Sequence, residues 1–448
     1  MVAASSDGES RLPLGLEVMR IAVLVTVATL VLSRDSAIAQ NVSVMAQAIP
    51  IVTRADPSAT RSALTEGYLS QPAVMAHGSF DWFQFTGTLN LEGLTLQRGE
   101  LSTGAYGEGY VDRRHPHAYV HEALIGAQHS FAGFDASVFA GRGFAPFGSD
   151  DPMVRPFEKF PVNHHLAQVL ERVVSIVAVR KGPVIGEFGV FGGDEPTSPS
   201  SSPNFSRFGD SWATRLTVLP VAGLELGGSV ANVTSPEVRA GHGLDQRKSS
   251  VVARFDRETA DSWRYGLLEY AHTSERDQGE VVNTLASILG EVAYCAKGVI
   301  VAGRLERTYR PEEEQLADPF RTPRPEVDLS NLGISRWTIL TGSVSSPALK
   351  MGAASMRPFV EVARIGVAHG SPAGIFNPEF RYGATRMWML SAGIRLRAGS
   401  MHDRMGRYGV ALPPMSAGSE AMPMEHGMAD MPGMSHDSMN HSAGKCTL

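Results

Sequence analysis

The amino-acid sequence predicts an all-β fold, an antiparallel transmembrane β-barrel of about 12–16 strands with a disordered carboxy-terminal tail. Three observations support this prediction: an export signal, a long succession of segments with period-two alternation, and connections of unequal length. The chain has 448 residues, of which 43% are hydrophobic and 19% are charged. The predicted divisions are a signal peptide at 1–39, a periplasmic segment at 40–76, the barrel at 77–400 and the tail at 401–448.

The first forty residues have the order of a secretory signal peptide. Arg11 and Arg20 precede a run of largely apolar residues from Ile21 to Leu32, and the small-x-small sequence Ala37-Ile38-Ala39 follows. This run is too short for a helix that crosses a bilayer, which needs about 20 residues. We therefore expect cleavage after Ala39, and a mature chain that enters a membrane does so with strands.

Segments with period-two alternation follow one another over residues 80–400, separated by clusters of Gly, Pro, Asp and Ser. In the last segment Trp388 and Leu390 lie on an apolar face opposite Ser391 and Arg395, so one face suits lipid and the other suits water. Fourteen candidate strands result: Phe83–Gly93, Ala118–Ser130, Gly133–Phe144, Val173–Lys181, Val184–Phe191, Trp212–Val218, Leu224–Val230, Lys248–Phe255, Trp263–His272, Leu285–Tyr294, Val299–Tyr309, Trp337–Val344, Phe359–Gly366 and Met387–Arg397.

The connections differ in length, with short turns at one set of junctions and long polar segments at 193–210 and 310–333. In outer-membrane barrels the short turns face the periplasm and the long loops face outside. Helical periodicity is confined to residues 164–174, which predict one short amphipathic helix. Because helical segments are otherwise scarce in the sequence, a soluble α/β enzyme is disfavoured. The alternative is a soluble β-sandwich or lipocalin-like barrel, where one face packs on a core and alternation is equally expected.

Charge and cysteine content narrow the functional classes. The net charge is −6, and no strongly basic segment follows the export region, which excludes the electrostatic footprint of a nucleic-acid-binding protein. The two cysteines, Cys295 and Cys446, are far apart in the chain, so the sequence predicts neither a disulfide framework nor a Cys-x-x-Cys site.

The tail holds seven of the 18 methionines within residues 415–441. Thioether sulfur is a soft ligand that selects Cu(I), and by the same softness Ag(I), while imidazole adds affinity for Cu(II). The predicted metal ligands are Met415, Met422, Met424, His426, Met428, Met431, Met434, His436, Met439 and His441, with Cys446 as an additional thiolate. The alternative is an incidental tail, or one that scavenges oxidants.

A second polar cluster precedes the predicted strand at 118–130. On a strand, His115, His117 and His121 share a face because side chains two residues apart point the same way. The candidate lumen cluster is Asp112, Arg113, His115, His117, His121, His164 and His165. Three imidazoles on the water side of a barrel could bind a metal ion, but the interpretation we prefer is a histidine and arginine network that braces or plugs the lumen at the membrane rim.

An enzyme would have to use the same residues, with three histidines as metal ligands and Glu122 or Glu158 as the base. The sequence has no His-Glu-x-x-His, Gly-x-Ser-x-Gly or phosphate-loop motif, so no catalytic residue and no organic cofactor are predicted.

Four segments of the chain resemble a family of uncharacterised bacterial outer-membrane proteins. They are His77-Gly78, LNLEGLTL at 89–96, GELSTGAYGEGYVDRRHPHAYVHE at 99–122 and FGGDEPTSPSSSPNF at 191–205. The family's D-R-x-H-P-H segment matches at Asp112, Arg113, His115, Pro116 and His117, and the pair His164-His165 also fits. The resemblance extends closely over residues 75–260 and loosely over the remaining barrel, and the tail is similar to the Met-His repeats of periplasmic copper- and silver-binding proteins.

Members of that family accompany heavy-metal, especially copper, resistance functions, so the resemblance implies an outer-membrane protein that handles copper or silver. We expect the tail to lie in the periplasm and to sequester or pass the ion, with outer-membrane lipid, metal ions and periplasmic metal-resistance proteins as partners. The alternatives are a general porin or small-solute channel with an incidental tail, and a barrel-embedded metal-dependent hydrolase.

Overall fold

The computed structural model describes residues 41–58, 61–95, 117–259, 262–313, 331–370, 377–399, 404–412 and Cys446. The predicted signal peptide lies outside these residues. So do three residues of the predicted lumen cluster, Asp112, Arg113 and His115, and all ten predicted tail ligands between Met415 and His441.

Strands make up most of the described chain. The first nine are β1 (Asn41–Asp56), β2 (Leu64–Phe80), β3 (Phe83–Asn90), β4 (Val120–Phe131), β5 (Phe134–Gly143), β6 (Arg172–Lys181), β7 (Val184–Phe191), β8 (Ser211–Val221) and β9 (Leu224–Val233). The others are β10 (Asp245–Glu258), β11 (Ser262–Asp277), β12 (Glu280–Ala296), β13 (Val299–Glu313), β14 (Asn331–Ser345), β15 (Leu349–Met351), β16 (Ala354–His369) and β17 (Arg386–Gly399).

Helices are few and short. They are α1 (Glu92–Thr95), α2 (His164–Ala167), α3 (Pro378–Tyr382) and the 3₁₀ turns η1 (Pro152–Val154) and η2 (Gly409–Ala411). Among the described residues, no helix has the length and apolar character needed to cross a membrane.

The strands form one closed antiparallel sheet. Leaving β15 aside, each strand pairs with the strands before and after it, β14 pairs with β16, and β1 also pairs with β17 through the register Ile51 to Gly393, which closes the ring. Strand β15 pairs only with β16, beside the end of β14, so the wall has 16 strands. The predicted antiparallel barrel is therefore confirmed, and closure leaves no unpaired strand edge.

The two faces of the wall have opposite character. Outward side chains are apolar and exposed, as Val251 (62%), Leu268 (59%) and Val292 (64%) illustrate. Inward positions carry many buried charged groups, such as Arg395 and Glu269. A soluble barrel has the reverse arrangement, with a polar outer face and an apolar interior, so the soluble alternative is wrong. An apolar outer face around a polar interior suits a barrel surrounded by lipid.

The two ends of the barrel also differ. At one end, which we call the turn end, two-residue turns join neighbouring strands, including Ala132-Gly133 and Lys297-Gly298. All four of these residues have positive φ, the conformation that tight hairpins between twisted strands require. At the opposite, loop end the connections include 144–171 and 192–210. The first residue of β1 and the last residue of β17 both lie at the turn end.

Three predicted boundaries need correction. The predicted periplasmic segment at 40–76 is wrong for its described part, because β1 and most of β2 lie there. The predicted helix at 164–174 is reduced to α2, and the chain has already entered β6 at Arg172. Residues 404–412, assigned to the tail, pack inside the barrel against the wall.

Candidate functional site

The connection between β5 and β6, residues 144–171, runs inside the barrel, and we call it the inserted segment. Every residue in it is buried except His165 and Leu166, which are half-buried. Its phenylalanines are almost fully enclosed, since Phe147, Phe157 and Phe160 are each at most 2% exposed. The inserted segment therefore fills the lumen with an apolar core of its own.

Charged side chains of the wall hold this segment by its backbone. Arg395 donates to Phe157 O at 3.0 Å, and Arg304 donates to Lys159 O at 2.9 Å. In the other direction, Val162 N donates to Glu306 at 2.8 Å. Because the segment contains only η1 and α2 as regular structure, its buried backbone groups need such partners.

A second piece of chain, residues 404–412, also lies in the lumen, and we call it the carboxy-terminal insert. Arg404 donates to Glu225 at 3.0 Å, and Arg407 contacts the same carboxylate. The hydroxyl of Tyr408 donates to Glu122 at 2.7 Å and accepts from Phe144 N at 3.0 Å. The two inserts are thus joined to each other as well as to the wall.

Asp150 lies where the two inserts meet. Arg254 of the wall and Arg404 both contact its carboxylate, and Arg407 Nε lies 3.5 Å from Oδ1. Burial alone would raise the pKa of Asp150, but the guanidinium groups of Arg404, Arg254 and Arg407 hold that pKa below the ordinary value of an aspartate. The carboxylate is therefore ionised and fully paired in the lumen at neutral pH.

A buried group of imidazoles and carboxylates, which we call the histidine cluster, lies toward the loop end. Its members are His117, His121, His164, His165, Asp151 and Glu171. His121 is the second residue of β4, His164 begins α2, and Glu171 directly precedes β6. The cluster therefore joins the wall to the inserted segment.

Glu171 organises the cluster from one side. Its Oε1 accepts from His121 Nδ1 at 2.5 Å, from His117 Nδ1 at 3.2 Å and from Ala118 N at 2.8 Å. Burial opposes ionisation of Glu171, but the hydrogen bonds from His117 and His121 hold the pKa of this carboxyl below its ordinary value.

Asp151 lies on the other side of the cluster. Its Oδ1 caps η1 by accepting from Met153 N at 2.8 Å. Its Oδ2 lies 3.7 Å from His121 Nε2 and 3.5 Å from His164 Nε2. The ring centroid of His117 lies 4.9 Å from that of His121 and 5.3 Å from that of His164.

The structure brings together four of the seven predicted lumen residues, His117, His121, His164 and His165. Sequence reasoning missed the two carboxylates that contact them, Asp151 and Glu171. The available signal was the Asp150-Asp151 pair before Pro152, within a long connection, since acidic residues beside histidines in a lumen suggest a shared network.

The two glutamates considered as catalytic bases have structural partners. Glu122 accepts from Thr88 and from Tyr408, each at 2.7 Å, and Glu158 forms an ion pair with Arg395 at 2.7 Å. Both side chains are therefore engaged in holding the lumen contents together.

Cys446 forms a disulfide with Cys295, a buried residue near the end of β12. The prediction that Cys446 supplies a thiolate ligand is therefore wrong, because its sulfur is bonded to another sulfur. The bridge returns the end of the predicted metal-binding tail to the turn end of the barrel.

Solved structures similar to this chain are bacterial outer-membrane barrels. An anion-selective porin from Comamonas acidovorans has 10% identity and a TM-score of 0.45, with 80% of this chain and 99% of that chain covered. The outer-membrane protein OmpT of Vibrio cholerae has 10% identity and a TM-score of 0.42, with 82% and 100% covered. OccK5 (OpdH) of Pseudomonas aeruginosa has 9% identity and a TM-score of 0.36, with 82% and 100% covered.

At these identities and scores, the likeness adds nothing to what the strand pairings show about the fold. No protein-family model matches the chain. No curated protein matches it either.

Proposed function

We propose that this chain is an outer-membrane channel of the porin type whose lumen is narrowed by its two inserts, so that it admits only small solutes. The observation that carries the proposal is a closed barrel with an apolar outer face and a lumen lined by charged groups. Such a wall suits a bilayer on its outside and a hydrated path on its inside.

The narrow bore follows from the packing of the lumen. At the loop end a cavity of about 40 Å³ is lined by His165, Lys248 and Glu275, and another of about 20 Å³ is lined by Arg142, Glu171 and Asp194. Spaces of this size hold single water molecules. Passage therefore requires small displacements of side chains or of the inserts, which favours ions and small solutes over large ones.

Conductance of the full-length protein in planar lipid bilayers tests this proposal. We expect the wild-type channel to conduct weakly and Arg395→Ala to conduct more, because that substitution removes the bonds to Glu158 and to Phe157 O. Arg247→Ala, at an exposed outward position of β10, is the matched control and leaves the conductance unchanged. A protein that inserts in the bilayer and passes no ions in any of the three forms would contradict the proposal.

The orientation that we propose places the turn end in the periplasm and the loop end outside. The support is that β1 begins and β17 ends at the turn end, together with the short turns. Because the wall has an even number of strands, its first strand begins and its last strand ends at the same end of the barrel, and in outer-membrane barrels the short turns face the periplasm.

A second function, copper or silver handling by the tail, is favoured by a specific feature of the sequence. Residues 415–441 combine seven methionines with three histidines, a donor set for Cu(I), Ag(I) or Cu(II). In the proposed orientation the Cys295–Cys446 bridge would keep this ligand-rich stretch at the periplasmic mouth, within reach of periplasmic metal-resistance proteins.

Titration of Cu(I) and Ag(I) into the full-length protein, in competition with a chelator of known affinity, tests this second function. We expect tight binding that is lost when the seven tail methionines are changed to leucine. Unchanged conductance of the leucine variant is the control that its barrel is folded. Equal binding by both forms would remove the tail from metal handling.

A further inference from the structure

Arginine side chains gather on the outer face of the barrel toward the loop end. They belong to four neighbouring strands of the wall, and we call them the arginine patch: Arg307 on β13, Arg336 on β14, Arg364 on β16 and Arg386 on β17. Arg307 pairs with Thr338, which pairs with Gly366. Gly366 in turn pairs with Arg386, so both arginines lie in one row of the sheet. Three of the four side chains are exposed and that of Arg336 is half-buried, so the patch faces the surroundings of the barrel.

The patch is compact. Neighbouring strands lie about 4.8 Å apart, so the three steps from β13 to β17 span about 14 Å. Arg336 lies two residues from the row toward the loop end and Arg364 two residues from it toward the turn end, which separates them by about 13 Å along the strands. Between the two arginines of the row lie only Thr338 and Gly366, with a short side chain and none. The four arginines therefore surround a centre without bulky side chains.

No carboxylate neutralises the patch within the described part of the chain. None of its four arginines forms an ion pair there. The hydroxyl of Tyr309 on β13 hydrogen-bonds with both Arg307 and Arg336, which brings these two side chains together, but it is uncharged at neutral pH. Among the described outward side chains of β13, β14, β16 and β17, none belongs to Asp or Glu. The patch therefore attracts an anionic partner from outside the protein.

The patch lies at the loop-end edge of the apolar band. Toward the turn end its strands continue with exposed apolar side chains, such as Leu305 (56%), Val362 (49%) and Trp388 (41%). Arginine is costly at the bilayer midplane and tolerated near the interface, so the patch lies at the level of the lipid headgroups. In β5–β9, all of whose residues the structure describes, the outward positions toward the loop end carry neither Arg nor Lys. The patch is therefore a local feature of one side of the barrel.

We propose that the arginine patch binds the phosphate groups of one phosphorylated lipid in the leaflet that surrounds the loop end. This inference rests on the proposed membrane location, and in the proposed orientation the leaflet is the outer one. The planar fork of an arginine forms bidentate hydrogen bonds with phosphate. Four arginines at this spacing favour a headgroup with more than one phosphate. A second copy of the chain fits less well, because the same face on both copies would bring like charges together.

Binding of lipid A, a diphosphorylated glycolipid of bacterial outer membranes, to the full-length protein in uncharged detergent tests the patch. Native mass spectrometry counts the bound lipid, and we expect one saturable lipid A per chain. The test variant combines Arg307→Gln, Arg336→Gln, Arg364→Gln and Arg386→Gln. Its affinity is expected to fall by at least about 100-fold, since each basic side chain near a membrane surface contributes about 5-fold. Lipid A without its phosphates is expected to bind the wild type no better than it binds this variant.

The matched control has the same change of charge at exposed arginines away from the patch: Arg239→Gln, Arg247→Gln, Arg257→Gln and Arg264→Gln. It is expected to keep the wild-type affinity. Heat-dependent mobility in gels reports whether each form is a folded barrel. If the fourfold variant does not fold, Arg307→Gln/Arg386→Gln carries the test, with an expected loss of about 25-fold.

Equal affinity of the test variant and the control would overturn the patch, as would equal binding of lipid A with and without its phosphates. Displacement of lipid A by an equal concentration of inorganic phosphate would also overturn it, in favour of a site for free anions. Lipid binding and conductance are separate measurements. A protein that conducts but binds no lipid A would lose the patch and keep the channel, whereas the converse would keep the patch and lose the channel.

Discussion

Glu187 and Arg215 show how single residues hold the lumen together. Arg215 of β8 donates to both carboxylate oxygens of Glu187 on β7, at 2.6 and 2.7 Å, and Arg407 lies 3.6 Å away. Both partners are buried, so removing one leaves a charge without compensation. We expect Glu187→Ala to lower the free energy of unfolding by about 3–5 kcal/mol, measured by urea titration in lipid vesicles.

The double variant Glu187→Ala/Arg215→Ala measures the interaction between these two side chains, apart from their contacts with the rest of the lumen. Because both charges are removed together, its cost is expected to be smaller than the sum of the two single variants. Glu280→Ala, at the exposed start of β12, is the control and changes stability by less than about 0.5 kcal/mol. An effect of Glu187→Ala as small as that of the control would show that the lumen is hydrated at this point.

Asp150 makes the free energy of unfolding depend on pH. Despite the opposing effect of burial, its pKa lies below the unfolded value of about 3.9 because three arginines face it. The stability that this ionised group contributes is present above the unfolded pKa and is lost as the pH falls below it. The difference in unfolding free energy between wild type and Asp150→Asn is therefore expected to be large at pH 7 and to shrink on acidification below about pH 4.

Measurement of that difference at several pH values decides the point. Other buried carboxylates titrate in both proteins and cancel in the comparison. A difference that stays constant from pH 7 to pH 3 would assign the effect of the substitution to packing rather than to charge.

At the scale of elements, the turn at Gly148 determines how the inserted segment enters the lumen. Gly148 has φ +70°, and a Cβ there would lie 1.8 Å from Ala167 O, across the base of the segment. Gly182, in the β6–β7 turn, has φ +55° but no atom within 4 Å of such a Cβ. We therefore expect Gly148→Ala to displace the segment and raise the bilayer conductance.

Gly182→Ala is the matched control, since it shares the backbone strain, about 1–2 kcal/mol, without the clash. It is expected to lower stability slightly and to leave conductance unchanged. Equal conductance in Gly148→Ala and wild type would mean that the inserted segment does not limit the bore.

The sequence predicted the elements whose two faces differ in polarity and missed those whose faces are alike. In β17, Trp388 and Leu390 point outward while Ser391 and Arg395 are buried inside, as the alternation indicated. In β1, by contrast, inward Ile49 and Ile51 alternate with outward apolar residues, so no period appears. The fourteen predicted strands correspond to β3–β14, β16 and β17, and the two strands of the wall that the sequence missed are β1 and β2.

The candidate site was predictable only in part, for a related reason. Its histidines stand out in the sequence because they are rare and adjacent. Their partners Asp151 and Glu171 are ordinary acidic residues whose importance depends on the inward path of the inserted segment. That path follows from contacts with distant strands, such as Arg304 to Lys159 O, which no local pattern encodes.

At the scale of the whole molecule, the proposed orientation can be measured because the chain offers no free thiol. Its two cysteines, both described, are joined in the bridge between Cys295 and Cys446, so a newly introduced cysteine is the sole reactive one. His242 is exposed at the loop end, and His129 is exposed beside the β4–β5 turn at the turn end. These positions are matched in residue type and in exposure.

We expect a membrane-impermeant maleimide to label His242→Cys on intact cells and His129→Cys only after the outer membrane is permeabilised. The physical reason is that a wall with an apolar outer face fixes the barrel axis across the bilayer, so the two ends face different compartments. The reverse pattern would invert the orientation and place the methionine- and histidine-rich tail outside the cell. Labelling of both positions on intact cells would mean that the barrel is not inserted, since only a bilayer keeps its two ends apart.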